Sequence, residues 1–514
     1  MRDSGVEPAA GATPERRDPT GVPGLDEVLG GGLPRGTLVL VIGLPGSGKT
    51  TLAAQMAFSA AQASRSVLIL SVLSEAPLKL IAHLRTYHFF AEHLVGTVIQ
   101  VNALAAYMAE GAETAVARLA DEVRRQRASL VVLDGFSGVR GALGLAQEAR
   151  AFMYDLSGRL GMLGVTTVIT SAAPPRQGIE MAEATNADVL LALHNRLEGV
   201  HGQRALDVIK VRGSAALTGR HSVVLDAAGA RVYPRLEARV ARAAADTAPP
   251  EPRGGGRAAF ALPALDALLE GGLTSGTSTL LVGSAGVGKT LLGLYFALAG
   301  VDVGQPAVLL GFHEALEELQ AKATPFVIGS RMRAAVQPEG GLTLLRQPSV
   351  ECNADVLAAD LLAAVDRTGA RRVIIDSIAE LERAVTETSA AARIPGFMAA
   401  LLEALRLRGV TTLLIRETGV LAAAGLMQQT ELVSLLAANV LWLQQITLRG
   451  RLYRVLSVPK MRYSAHDVTL REYMIAAPEG LRVLELIDST AAVLTGIAHQ
   501  QRQPGPLEEE AASP

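Results

Sequence analysis

Short runs of apolar, largely β-branched residues alternate along this chain with longer amphipathic stretches. "TLVLVIG", "SVLILSVL", "SLVVLD", "VTTVIT", "DVLLAL" and "LDVIKV" occupy the first half. "STLLVG", "AVLLGF", "RVIID", "VTTLLI", "NVLWL" and "RVLSVP" answer them in the second. A continuous apolar run bounded by turn residues suits a strand buried on both faces, and intervening helices imply parallel crossovers. The pattern predicts an α/β fold, with a mostly parallel sheet flanked by helices, built twice. "KVRGSAALTGRHSVVLD" and "KMRYSAHDVTLREYMIA" predict antiparallel hairpins at a sheet edge instead.

The doubling has a fixed period. "LDEVLGGGL" begins at Leu25 and "LDALLEGGL" at Leu265, 240 positions apart, and "GLPGSGKT" at Gly43 and "GSAGVGKT" at Gly283 keep the same separation. One offset shared by separate segments marks an internal repeat. The expected organisation is a disordered polar tail over residues 1–18, a first domain over 19–236 and a Pro/Gly-rich linker over 237–257. A second domain over 258–499 and a polar, acidic tail over 500–514 complete it. Each repeat is long enough to bury a full core.

Composition narrows the function classes. A net charge of −2 over 514 residues, with 4% aromatic residues, gives no electrostatic footprint for nucleic acid, which is not an expected partner. The single cysteine, Cys352, excludes an intrachain disulfide, suits a reducing compartment and is expected as a buried core thiol. The polar N-terminus lacks the apolar segment of a secretory signal, and no apolar run approaches the roughly 18 residues that span a bilayer. The expectation is a cytoplasmic protein with no membrane partner.

A G-x-x-x-x-G-K-[ST] run between a strand and a helix points to phosphate binding for a physical reason. Glycines let the backbone aim successive N–H groups at phosphate oxygens, and the helix N-terminus adds partial positive charge. Gly43, Gly46, Ser47, Gly48, Lys49, Thr50 and Thr51 make the first candidate nucleotide site. Gly283, Gly286, Val287, Gly288, Lys289, Thr290 and Leu291 make the second. Lys49 and Lys289 would bridge the β- and γ-phosphates, and the hydroxyls of Thr50 and Thr290 would ligate Mg²⁺. An apolar strand ending in aspartate should help hold that metal, and Asp134 and Asp376 occupy such ends. A glycine-rich turn can match by chance, and a strand-end aspartate is a common cap. Two matches at the repeat offset, each in the right context, argue against both. The expected cofactors are ATP and Mg²⁺.

"TGVPGLDEVLGGGLPRGTLVLVIGLPGSGKTTL" resembles the opening of the RecA-like ATPase domain of the KaiC/RadA group. Two such domains, the "KVRG" and "KMRY" hairpins, and "ITLRGRLYRVLSVPKMRYSAHDVTLREYMI" near the end narrow this to the KaiC family of circadian-clock proteins and their non-cyanobacterial relatives. The resemblance spans about residues 19–235 and 258–497. It implies a homo-oligomeric ring, expected as a hexamer, with ATP bound between subunits and a signalling protein as a further candidate partner. In that family the lysine and arginine of the K-x-R hairpin reach the neighbour's nucleotide phosphate, which carries over to Lys210 and Arg212 and to Lys460 and Arg462. A cation supplied across an interface stabilises charge on the transferring phosphoryl group. An exposed basic edge strand that discourages aggregation is the plainer alternative.

The chain also departs from that family. Where the family places two adjacent glutamates after the second strand, this chain has "LSEAP" and "FHEAL". Ser74 and His313 replace the first of each pair, and Glu75 and Glu314 remain as candidate catalytic carboxylates that orient water. His313 is a candidate base, against the commoner role of a hydrogen-bonded structural histidine. Clock proteins phosphorylate a neighbouring serine and threonine in the second domain. Here Ser434 stands at the serine position and Leu435 at the threonine position, so the resemblance leaves at most a slow, single-site serine autokinase. Ser434 also fits as an ordinary helix serine. The leading expectation is an ATP-hydrolysing KaiC-like signalling protein. A non-hydrolysing, nucleotide-dependent switch or scaffold is the alternative, and a recombinase- or helicase-like DNA-dependent ATPase is the third.

Overall fold

In the computed structural model, which describes residues 16–71, 77–198, 201–246, 256–418, 436–448 and 451–486, the apolar run after Gly36 becomes strand Leu38–Gly43, buried at every position. Its side chains divide by parity. Val39 and Val41 pack with Leu52 and Met56 of helix Lys49–Gln62. Leu38, Leu40 and Ile42 pack on the other side with Leu119 of helix Ala112–Gln126 and Leu156 of helix Ala146–Met162. Successive strand residues point to opposite faces, so an unbroken apolar run requires a helical layer on each. A fully buried side chain of this kind contributes roughly 1.5–3 kcal/mol. The central strand is therefore the most firmly held support available to a site.

Leu38–Gly43 lies between Thr166–Ala172 and Val189–Glu198 and is parallel to both. Beyond Thr166–Ala172 come Leu130–Asp134, Val67–Ser71 and Ile99–Ala103, again parallel. Beyond Val189–Glu198 the direction reverses through His201–Val211, Arg220–Asp226 and Gly229–Tyr233. The chain divides between Asp246 and Thr247 into two units, and the second repeats this nine-stranded order. There Ser278–Gly283 is central, between Thr411–Glu417 and Asn439–Leu448. Arg372–Asp376, Ala307–Gly311 and Leu342–Arg346 extend one side. Arg451–Met461, Arg471–Ala476 and Gly480–Leu486 form the antiparallel side. Both units are thus α/β, with mostly parallel sheets and antiparallel edges.

Several boundaries differ from the sequence reading. Ile99–Ala103 and Leu342–Arg346 are edge strands with one fully buried residue each, so they lack the continuous apolar signal of the centre. Arg17 and Asp18, expected in the disordered tail, pair as a strand with Leu33–Pro34. Asp18 is buried there and accepts from Arg35 and Arg65, both at 2.7 Å. Residues 237–246, expected as the start of the linker, belong to helix Leu236–Asp246, whose Arg239 pairs with Glu27 at 2.7 Å. Alanine and arginine are good helix formers, and no glycine or proline interrupts them before Pro249. The expected tails over 1–15 and 500–514, and residues 247–255, lie outside the described residues. Cys352 is buried and donates its thiol to Pro348 O at 3.1 Å. Among the described residues no helix is long and apolar enough to cross a membrane.

One buried charge ties the second unit together. Arg372 is 2% exposed and donates to Ala259 O at 2.6 Å, Phe296 O at 2.8 Å and Gln305 Oε1 at 3.1 Å. Its guanidinium carbon lies 4.7 Å from the centre of the Phe296 ring. Burial brings its pKa down to about 10, against the opposing pull of Asp266. Arg372→Met would orphan both carbonyls and is expected to cost the second unit roughly 3 kcal/mol. Differential scanning calorimetry should show one transition lowered and the first unit's transition unmoved.

Candidate functional site

Both glycine-rich loops leave the C-terminal end of a central strand and open a helix. Gly48 and Gly288 share φ of +97°, a left-handed conformation that strains any L side chain. At Gly43 and Gly283 the constraint is space, since an added Cβ would lie 2.6 Å from Leu193 O and from Leu443 O respectively. Helices Lys49–Gln62 and Lys289–Val301 start at once, and no side chain caps either. Their first-turn N–H groups and positive dipole ends are therefore directed at the loop mouth. Lys49 Nζ curls back to Leu44 O at 2.9 Å and Lys289 Nζ to Ser284 O at 2.7 Å. Burial lowers both lysine pKa values, opposed by Asp134 at the first and Glu417 at the second.

The remaining loop positions divide by orientation. Ser47 and Val287 are buried, Val287 within the hydrophobic core, so these positions present only backbone to a phosphate. Ser47 Oγ has no hydrogen-bond partner among the described residues. Thr51 Oγ1 donates to Tyr87 OH at 3.2 Å, whereas Leu291 lines the second cleft. Gly46 and Gly286 take φ of +76° and +74° and keep the two loops alike.

The strand-end aspartates stand where the loop threonines meet them. Thr50 Oγ1 donates to Asp134 Oδ2 at 2.9 Å, and Thr290 Oγ1 to Asp376 Oδ2 at 2.6 Å. Their surroundings differ. Thr170 Oγ1 also donates to Asp134 Oδ1 at 2.6 Å and accepts from Gly135 N at 2.7 Å. The register puts Ile415 beside Asp376 in the second unit, and burial raises the Asp376 pKa, with the Thr290 hydrogen bond opposing. A hydroxyl and a carboxylate together suit Mg²⁺, which keeps waters and takes phosphate oxygens instead of needing an all-protein cage.

The second site opens as a cleft of about 790 Å³. Glu314 lines it and pairs with Lys322. His313 is 61% exposed, with Nε2 3.2 Å from Glu380 Oε1, so its partner is a carboxylate of helix Ile378–Thr388. Glu75 and its neighbour Ser74 lie outside the described residues, as do Ser434 and Leu435.

The K-x-R pairs sit at the far end of each sheet from their own loop. Lys210 is opposite Leu190, which pairs with Leu40; Lys460 is opposite Val440, which pairs with Leu280. At about 3.3 Å per residue, each lysine is roughly 10 Å along the strand from Gly43 or Gly283, and Arg212 and Arg462 lie farther on. Lys210 Nζ donates to Thr185 O at 3.3 Å and Lys460 Nζ to Ala437 O at 2.8 Å. Arg212 pairs with Asp188 at 3.1 Å. Burial lowers both lysine pKa values, and the adjacent arginine adds to the effect.

Sequence patterns did not single out Thr170, Glu417 or Tyr473. Tyr473 OH donates to Val287 O at 2.6 Å, so an antiparallel strand holds the second loop from behind. Thr170 and Glu417 announce themselves only as polar residues closing apolar strands, a signal shared with ordinary strand ends.

A family model described as the KaiC ATPase matches residues 18–237 and 260–487. The chain is similar to the circadian clock oscillator protein KaiC of Thermostichus vulcanus, 23% identical over 496 residues that cover 94% of this chain and 91% of that protein. It is 25% identical over 468 residues to circadian clock oscillator protein KaiC 1 of Synechocystis sp., covering 89% and 87%. The corresponding KaiC of Picosynechococcus sp. is 25% identical over 466 residues, covering 88% and 87%.

The raised pKa of Asp376 means that ionising it costs the folded second unit above the ordinary carboxylate range. Asp376→Asn removes that cost and can still accept from Thr290. The nucleotide-free variant is expected to unfold roughly 2–4 °C higher at pH 7, the shift that about 1 kcal/mol gives a domain of this size. The gain should vanish below about pH 4, where both side chains are neutral. Thermal melts at the two pH values check this.

Proposed function

This chain belongs to the KaiC ATPase family, and from that membership we propose a homo-oligomeric, hexameric ring that binds ATP with Mg²⁺ at two sites per chain and hydrolyses it at subunit interfaces. The observation that carries the interface reading is the placement of the K-x-R pairs. Each lysine stands roughly 10 Å along the strand from its own loop, a placement that favours a phosphate held by the loop of another subunit. A head-to-tail contact of this kind generates a closed ring when the rotation closes.

In each site the loop N–H groups and the lysine hold the β- and γ-phosphates, while Thr50 with Asp134, or Thr290 with Asp376, holds Mg²⁺. When bound there, Mg²⁺ would supply charge neutralisation for the phosphates. The neighbour's Lys210 and Arg212, or Lys460 and Arg462, stabilise charge on the transferred phosphoryl group. Glu75 and Glu314 orient the attacking water. At the second site Glu314 is engaged by Lys322 and His313 by Glu380, which favours slow turnover there. Transfer to Ser434 is correspondingly slow and confined to one acceptor, because Leu435 has no hydroxyl. The ring serves in signalling through its nucleotide state.

Titration calorimetry should find two ATP sites per chain. Lys49→Ala and Lys289→Ala should each remove one and spare the other, and a single site in the parent protein would defeat the tandem reading. Subunit mixing tests the interface. Lys289→Ala and Arg462→Ala proteins, each impaired in second-site turnover, should recover activity when mixed under exchange conditions. Mixed rings place an intact loop against an intact arginine, and no recovery would place the arginine's role within its own subunit.

A further inference from the structure

Glu417 closes Thr411–Glu417, the strand between the one carrying Asp376 and the one leading into the second loop. The register sets it beside Gly283, and Thr418 N donates to Gly283 O at 3.0 Å. From there Glu417 Oε2 stands 3.5 Å from Lys289 Nζ at the cleft, with the lysine side chain 8% exposed and the glutamate 60%. The other carboxylates of the cleft are engaged elsewhere. Glu380 holds Arg383 at 2.8 Å as well as His313, Glu314 holds Lys322, and Asp376 accepts from Thr290. Glu417 is thus the carboxylate paired with the lysine that a nucleotide must engage. In the first unit the position beside Gly43 is Ala172, which is exposed.

This contact bears unequally on the two nucleotides. A diphosphate leaves the γ-phosphate position open, so Lys289 can hold the β-phosphate and keep Glu417. A triphosphate would add a γ-phosphate to the groups competing with Glu417 for the Lys289 ammonium, and would set that carboxylate near a phosphoryl group of like sign. We infer that Glu417 sets the second site's choice between ATP and ADP, lowering its preference for the triphosphate, and that Ala172 spares the first site this discrimination. The inference rests on the reading of both loops as nucleotide sites. Glu417 determines specificity through Lys289 and takes no part in the bond-breaking step.

Full-length Lys49→Ala protein isolates the second site. ATP and ADP, each with Mg²⁺, are competed there against a fluorescent ATP analogue, with and without Glu417→Gln. The ratio of ADP to ATP dissociation constants should rise roughly tenfold in the Gln variant, the effect of removing one of two like charges a few ångströms apart in a half-solvated cleft. Most of the change should come from tighter ATP binding. Ala172→Glu in a Lys289→Ala background should lower the ratio at the first site. A ratio that stays level or falls in Glu417→Gln overturns the inference. So does an unchanged pair of affinities with collapsed turnover, which would make Glu417 a water-orienting carboxylate. Nucleotide binding that persists when both lysines are replaced removes the loop reading, and the inference with it. An unchanged ratio with binding lost in that double variant overturns the inference alone.

Discussion

The structure depends on one geometric demand, a backbone turn that aims N–H groups at a single point between the end of a strand and the start of a helix. Only glycine tolerates φ of +97° at Gly48 and Gly288, and only glycine leaves room beside Leu193 O and Leu443 O. The strand beneath must not move, and it does not because both of its faces are buried. Val39 and Val41 lock one side while Leu38, Leu40 and Ile42 lock the other. The helical layers, the parallel neighbours and the antiparallel flank all serve to hold that turn. The loop itself contributes few side chains to its own support.

Identical loops do not make identical sites. The strand between the loop strand and the aspartate strand ends in Thr170, Ser171 and Ala172 in one unit and in Ile415, Arg416 and Glu417 in the other. In the first unit Thr170 bonds Asp134 directly. In the second, Asp376 has an apolar neighbour on that strand, and the charge sits farther along, against Lys289. Arg416 is buried and pairs with Glu382, whose pKa burial raises even so. One scaffold thus carries two electrostatic settings around the same loop, and the difference lies in three consecutive residues.

The antiparallel flank carries a basic pair at the same place in both units. Lys210 and Lys460 sit at matching register positions, beside the strands that pair with Leu40 and Leu280, at the ends remote from the loops. Each lysine donates there to the carbonyl of Thr185 or Ala437. Tyr473 works in the opposite direction, bringing the same flank back to the second loop through Val287 O. In the second unit the flank thus both supports the loop and carries Lys460 and Arg462.

The sequence by itself determined the features that are written locally. Unbroken apolar runs such as "TLVLVIG" could only be strands buried on two faces, and the repeat of 240 positions fixed two copies of one α/β unit. The placement of the loops between strand and helix, and of Asp134 and Asp376 at strand ends, was legible because a tight turn demands glycine and an apolar run ends where a charge begins. Edge strands were not, since "IQVNA" and "LTLLR" bury only one residue fully and so carry no continuous signal. Arg17, Asp18 and the helix Leu236–Asp246 were lost to a composition that resembles a tail or a linker until distant partners, Arg65 and Glu27, are present. The tertiary structure alone decided that Thr170 supports Asp134, that Tyr473 clamps the second loop and that Glu417 faces Lys289. Each of these contacts joins residues more than thirty positions apart. Their meeting is set by strand register, a property of the assembled sheet that no short stretch of chain contains.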